Sequence, residues 1–276
     1  MDDQGMTFYT TSHDMRACKR SITQAELIAH ESSLGMTDIR DLPVPNALAE
    51  YLRNHRRAET VLDHTVTYRP GWWEHVLREE GLPASPMHAP DIDARGRASL
   101  SRRDLFTLAP APDSDDETVL RFAWHVLAWG TGLSNRNNRR RVHSIATHRE
   151  TAIPALRAAC TVAQLPTNAY KHLLTDKGRS RIPYLAPAFA TKIIYFAGHG
   201  RRGHESLILD GRVAAALHDR HGWHSLGNGP YWPAHTYQRY TTLTTRWATE
   251  LTKALGRVVA PDEIEFWLFR QAGAGV

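Results

Sequence analysis

The sequence predicts a fold that is all-α or nearly so. Apolar residues recur at helical spacing along almost the whole chain, and helix start and stop signals punctuate it at short intervals. Only two runs have strand character, 65–68 and 207–209, and each is too short to imply a sheet by itself.

Taken in order, Thr23-Gln24-Ala25-Glu26 fits a capping box, in which the Thr hydroxyl and the Glu carboxylate satisfy end amides reciprocally, and a short helix is expected after it. A second helix is expected over 44–57. Pro70-Gly71-Trp72-Trp73 opens a third, which Gly81 stops. From Pro83 to Asp116 the composition shifts to Pro, Asp, Arg and Ser, and the run from Ala109 to Asp116 reads as a linker ending in a helix cap. The main boundary is expected there. It gives a helical N-terminal extension over 1–112 and a second domain over 113–276, the alternative being one domain with a long surface loop.

Beyond the boundary, Val119, Leu120, Ala123, Val126 and Leu127 share one face of a helix over 117–129. A basic run follows, Asn135 to Arg141. Helices are then expected over 151–162, 166–174, 188–197, 210–221, 237–255 and 261–271. In the longest, Tyr240, Leu243, Trp247, Leu251 and Leu255 form the buried stripe, and in the last, Phe266, Trp267 and Phe269 are expected to close the core.

Composition narrows the function classes. With 42% hydrophobic and 23% charged residues, the 276-residue chain reads as globular rather than disordered. Its net charge of +5 favours a polyanionic partner only weakly. No apolar run reaches the roughly 18 residues of a membrane span, and the first residues are polar and acidic, so no membrane partner and no secretory signal are expected. Cys18 and Cys160 cannot build a disulfide framework, which suits a reducing cytoplasm. His218 and His221 share a helix face, but Gly222 breaks the helix before His224 and no carboxylate completes a ligand set, so no metal is expected.

The informative stretch is IPYLAPAFATKIIYFAGHGRRGHESLILDGRVAAAL, residues 182–217. A Pro-containing turn leads into a helix with Lys192 in its first turns, and Asp210 follows 18 positions later at the start of another. Ala186-Pro187-Ala188-Phe189-Ala190-Thr191-Lys192 resembles the hairpin of the 8-oxoguanine DNA glycosylases of the helix-hairpin-helix superfamily, which ends in a catalytic lysine. Leu209-Asp210-Gly211-Arg212-Val213 resembles the segment carrying that family's catalytic aspartate. The resemblance is specific over 182–217 and extends as a helical pattern over 118–270. Alanines at 188 and 190 stand where the family has glycines that let backbone amides approach a phosphate. This departure, with the wording around it, is similar to a divergent bacterial branch that includes anti-phage glycosylases.

The resemblance implies a helix-hairpin-helix DNA glycosylase fold after the boundary and a double-stranded DNA partner carrying a modified base. Asp210 would stabilise positive charge on the sugar or activate water, and Lys192 would attack C1′ or steer the departing base. Hairpin residues Ala188, Phe189, Ala190 and Thr191 would meet the DNA backbone. Arg139, Arg140, Arg141, Arg201 and Arg202 would neutralise phosphates, and Trp129, Trp223 and Trp232 would line the base pocket. The bland alternative for the pair is a solvated charge and a helix N-cap. Base excision by a monomer without cofactor or metal is the expected activity. Glucosylated hydroxymethylcytosine is the expected base, the alternatives being an 8-oxoguanine glycosylase/lyase or a non-catalytic binder of modified DNA.

Overall fold

Eleven helices and one two-stranded sheet make up the described residues of the computed structural model, which are Ile39 and residues 42–83, 87–226 and 229–271. The capping box at 23–26 and the helix expected after it lie outside them. Helices α1 (Asn46–Asn54) and α2 (Pro70–Glu79) flank a π-helical turn (Ala58–Leu62) and strand β1 (Thr65–Tyr68). Strand β2 (Ala98–Ser101) leads directly into α3 (Arg102–Thr107). The remainder is helical: α4 (Asp116–Thr131), α5 (Asn138–Thr147), α6 (Arg149–Thr161), α7 (Pro166–Leu173), α8 (Pro187–Phe196), α9 (Gly211–His221), α10 (Ala234–Leu255) and α11 (Pro261–Gln271). No helix among the described residues is long and apolar enough to cross a membrane.

The nearly all-α expectation holds, with three local differences. First, 65–68 is a true strand, because its antiparallel partner lies in the stretch expected to be linker: Thr65 faces Ser101 and Tyr68 faces Ala98. The partner, Ala-Ser-Leu-Ser, is short and small, so its alternation is faint, yet Ala98 and Leu100 are buried. Ser101 then caps α3 in a reciprocal capping box with Asp104. Second, most of the basic run is the start of α5, entered after Asn135 and Asn137 take left-handed backbone angles that Asn tolerates.

Third, Leu207-Ile208-Leu209 forms no strand and belongs to no sheet. Side-chain hydroxyls replace a strand neighbour. The Tyr237 hydroxyl accepts from Leu207 N at 3.0 Å and donates to Leu207 O, and Tyr240 donates to Ile208 O at 3.0 Å. Thr191 Oγ1 accepts from Leu209 N at 3.1 Å. Buried backbone groups need partners, and here two tyrosines of α10 and a threonine of α8 supply them.

The boundary expected at 113 does not divide compact units: residues 37–276 form one. A single apolar core runs from Leu48 and Trp73 through Leu127 and Ile194 to Leu268. Charges from the N-terminal segment find their partners on the last helix. Arg57 grips Asp262 at 2.7–3.1 Å, and Arg102 grips Glu265 at 2.6 and 3.2 Å. The Tyr195 hydroxyl joins them, accepting from Arg102 and donating to Asp262. Buried charges survive only when paired and hydrogen-bonded, so these pairs join residues 57 and 102 to α11 within one body.

Candidate active site

Helix α8 begins at Pro187, whose fixed φ suits the first helical position, and its N-cap Ala186 offers no side-chain acceptor. From Ala190 to Phe196 every side chain is buried, Lys192 among them at 6% exposure. An ammonium in such surroundings requires an anion. Asp210 supplies it: Lys192 Nζ donates to Asp210 Oδ2 at 2.9 Å and to Ala188 O at 3.2 Å.

Asp210 is the N-cap of α9. Its other oxygen, Oδ1, accepts from Arg212 N at 3.1 Å and Val213 N at 3.2 Å. Two amides and an ammonium thus fix the carboxylate in one orientation. Burial opposes its ionisation most strongly. The charge and hydrogen bond of Lys192 and the two amides outweigh burial and hold the carboxyl below the usual aspartate range. The neighbouring residues lock this geometry. Thr191 is bonded to both backbone groups of Leu209, at 3.1 Å each, so the 191–209 clamp sets the 192–210 contact.

The floor of the site is α4. A Cβ on Gly130 would stand 2.7 Å from Phe189 Cε1 and 3.3 Å from Lys192 Cδ, so α8 lies against α4 only because residue 130 is glycine. Arg141 covers the other side of Phe189, its guanidinium 3.8 Å from the ring centroid.

The structure divides the residues expected to meet DNA. Ala190 and Thr191 are fully buried, so their side chains serve packing and the Leu209 clamp, whereas Ala188 and Phe189 stay partly exposed. Arg141 is no free phosphate ligand: it is 6% exposed and donates to Tyr184 O, Arg136 O and Asn138 Oδ1. Burial pushes its guanidinium down to about 10. It fastens the turn before α8 to α5. Arg139 and Arg140 are exposed on that same helix, the first paired with Glu79 and the second 5.7 Å from the Tyr184 ring. Arg201 bonds Gly198 O and Gln164, and Arg202 reaches Val258 O, so both follow the far end of α8 from the hairpin.

Of the three tryptophans, Trp129 is the one next to Gly130, which lies against Phe189 and Lys192. It meets Phe196 at 5.2 Å and His64 at 5.2 Å. Trp223 follows α9 at the end opposite Asp210 and bonds Ser225, its ring buried under Arg239. Trp232 receives the Tyr170 hydroxyl on its carbonyl and presses on Gly178. Both are core residues at the edges of the helical bundle.

The structure adds residues that sequence reasoning left out. His64 meets Trp129, Phe266 and Phe269, and Arg212 lies 4.1 Å from the Phe269 ring centroid. Arg212 had a signal, two places after Asp210. His64 had none, being a lone histidine between a helical segment and a short strand. Phe266 and Phe269 do join buried surroundings as expected, but on the face that meets His64.

The sequence pattern of the family described as "Putative 8-oxoguanine DNA glycosylase OGG-like protein" matches residues 59–269. The match begins well before the expected boundary, in keeping with the shared core. No curated protein and no solved structure matches the chain.

Proposed function

The chain belongs to the OGG-like 8-oxoguanine DNA glycosylase family, and from that premise we propose that it flips a modified base out of double-stranded DNA and cleaves its N-glycosidic bond. The observation that carries the reading is the buried Lys192–Asp210 contact of 2.9 Å, held by the Thr191–Leu209 clamp. As the C1′–N bond breaks, its electron pair leaves with the base and positive charge develops on the sugar. A fixed carboxylate beside that carbon stabilises the charge and accepts a proton from the attacking water. The water oxygen completes the bond to C1′, the proton taken up by Asp210 passes to the departing base, and an abasic strand and an ionised carboxylate remain. Lys192, bonded as a donor to Asp210, orients the carboxylate and would steer the departing base.

For substrate we infer glucosylated hydroxymethylcytosine and a cytoplasmic role against phage DNA. The support is the resemblance of the hairpin, with Ala188 and Ala190 in place of glycines, to a branch that includes anti-phage glycosylases of hypermodified DNA. The family's description favours 8-oxoguanine as the second reading, with Lys192 as nucleophile and a lyase step. Incubation with glucosylated, 8-oxoguanine and plain duplexes, followed by alkali and a denaturing gel, separates them. Breaks only after alkali on the glucosylated duplex support the first reading, and breaks without alkali on 8-oxoguanine the second. Binding with no breaks on any duplex would replace both with a non-catalytic binder.

A further inference from the structure

His64 sits in the turn before β1, its carbonyl accepting from Arg102 N at 3.1 Å, so its backbone is pinned to the start of α3. Its ring stands among three others: Trp129 edge-on at 5.2 Å, Phe266 at 5.2 Å and Phe269 at 5.6 Å. Two polar atoms of this cluster, His64 Nδ1 and Trp129 Nε1, are buried with no hydrogen-bond partner among the described residues. A buried polar atom left unpaired costs about 1–3 kcal/mol, and two in contacting rings can both be satisfied by one polar group bound between them. Contacts connect the cluster to the pair: Phe269 carries the guanidinium of Arg212, two residues from Asp210, 4.1 Å from its ring centroid, and Gly130, next to Trp129, lies against Lys192. Burial first, then Arg102, Arg212, Arg270 and Lys192, push the imidazole down to about 4. It is neutral at physiological pH, one nitrogen an acceptor and the other a donor.

A neutral imidazole and an indole N–H among phenyl rings, connected to Asp210 through Phe269 and Arg212, offer the chemistry that reads a base edge. We propose that His64 is the specificity-determining residue of this site: its Nδ1 accepts a hydrogen bond from an exocyclic amine or hydroxyl of the extruded base, while Trp129 Nε1 donates to a base carbonyl. A modified cytosine carries both groups. The assignment deepens the glycosylase reading and rests on it for the chemistry, but not for the recognition.

The test uses His64→Phe, which keeps a ring and removes both nitrogens, and His64→Asn, whose Oδ1 falls near the position of Nδ1. Base release is measured in single turnover on a duplex with one glucosylated 5-hydroxymethylcytosine or one 8-oxoguanine, whichever the wild type processes. Equilibrium binding is measured in an Asp210→Asn background on those duplexes and on one carrying a tetrahydrofuran abasic analogue. His64→Phe should slow base release roughly 10- to 100-fold. It should erase the preference for the base-bearing duplex and hold abasic binding within about 2-fold. His64→Asn should recover part of both. Unchanged release and preference in His64→Phe would overturn the proposal, and so would an equal loss on the abasic duplex, which marks a packing role. If the wild type releases no base at all, the glycosylase reading falls, yet the binding preference still decides His64: the proposal stands if His64→Phe erases a preference and fails if there is none to erase.

Discussion

Asp210 serves two purposes with one carboxylate, capping α9 through Oδ1 and holding Lys192 through Oδ2. Asn keeps the capping oxygen and the shape but leaves the buried Lys192 ammonium without its anion, so Asp210→Asn should lower stability while keeping the cap and DNA binding. Base release should fall by about 100-fold or more. Release within a few-fold of wild type in single turnover would remove Asp210 from the mechanism. Lys192→Gln separates the two routes. A nucleophilic lysine forms an imine that borohydride reduces to a covalent protein–DNA adduct. With the ammonium bound to Asp210, the expected outcome is continued base release by Lys192→Gln and no trapped adduct in wild type. A strong wild-type band that the variant loses would make Lys192 the nucleophile. These two residues were legible in the sequence because a motif of fixed spacing surrounds them. Their spacing also allowed a helix and a returning loop to bring them together, but the clamp that fixes the contact was hidden, since it depends on Thr191 bonding a backbone segment 18 positions away. His64 was illegible for the same reason, as three ring contacts from distant helices define it.

At the scale of elements, the site depends on how closely α8 lies on α4 and how α5 holds the turn before it. Gly130→Ala should push Phe189 and Lys192 off their positions, and its expected effect is an activity loss well beyond its loss of stability. Thermal unfolding alongside single-turnover kinetics checks this, and unchanged kinetics would show that the contact relaxes freely. The arginines of α5 divide by burial. Arg139→Ala with Arg140→Ala should flatten the dependence of log binding constant on log salt by about 2 if both touch phosphates. Arg141→Ala should instead destabilise, because Tyr184 O, Arg136 O and Phe189 lose their shared partner. A salt slope unchanged by the double variant would assign Arg139 and Arg140 to solvent. Most helices were legible from apolar spacing and end signals, such as Pro70 with Gly81 and Asp115 capping α4. Strand β2 and helix α3 were not, because Ala-Ser-Leu-Ser offers two small polar residues to one strong apolar one, and a proline- and aspartate-rich stretch surrounds it.

Across the whole molecule, buried charge and buried histidine set the conditions of stability. Arg57, Arg102, Tyr195, Asp262 and Glu265 unite segments more than 150 residues apart, a pairing that local sequence cannot reveal and that erased the expected boundary at 113. Three histidines, His64, His125 and His204, are each held at about 4, chiefly by burial. Their folded values lie below the ordinary 6.5, so the unfolded chain binds more protons between those limits. Stability is therefore full above pH 6.5 and is lost as pH falls toward 4. For the fully buried His125 and His204 the loss is on the order of 3 kcal/mol each, with less from the more exposed His64. Urea midpoints across that range should fall steeply, and a flat profile would contradict the buried neutral imidazoles.

Base removal through Asp210 is the step on which the other expectations depend. It is tested by mass spectrometry of bases released from phage DNA carrying glucosylated hydroxymethylcytosine, 8-oxoguanine duplexes and plain DNA. Wild type should release the free glucosylated base, Asp210→Asn none, and the product should be an intact abasic strand that breaks in alkali. Release of no base from any of these DNAs by a folded, DNA-binding protein would contradict it.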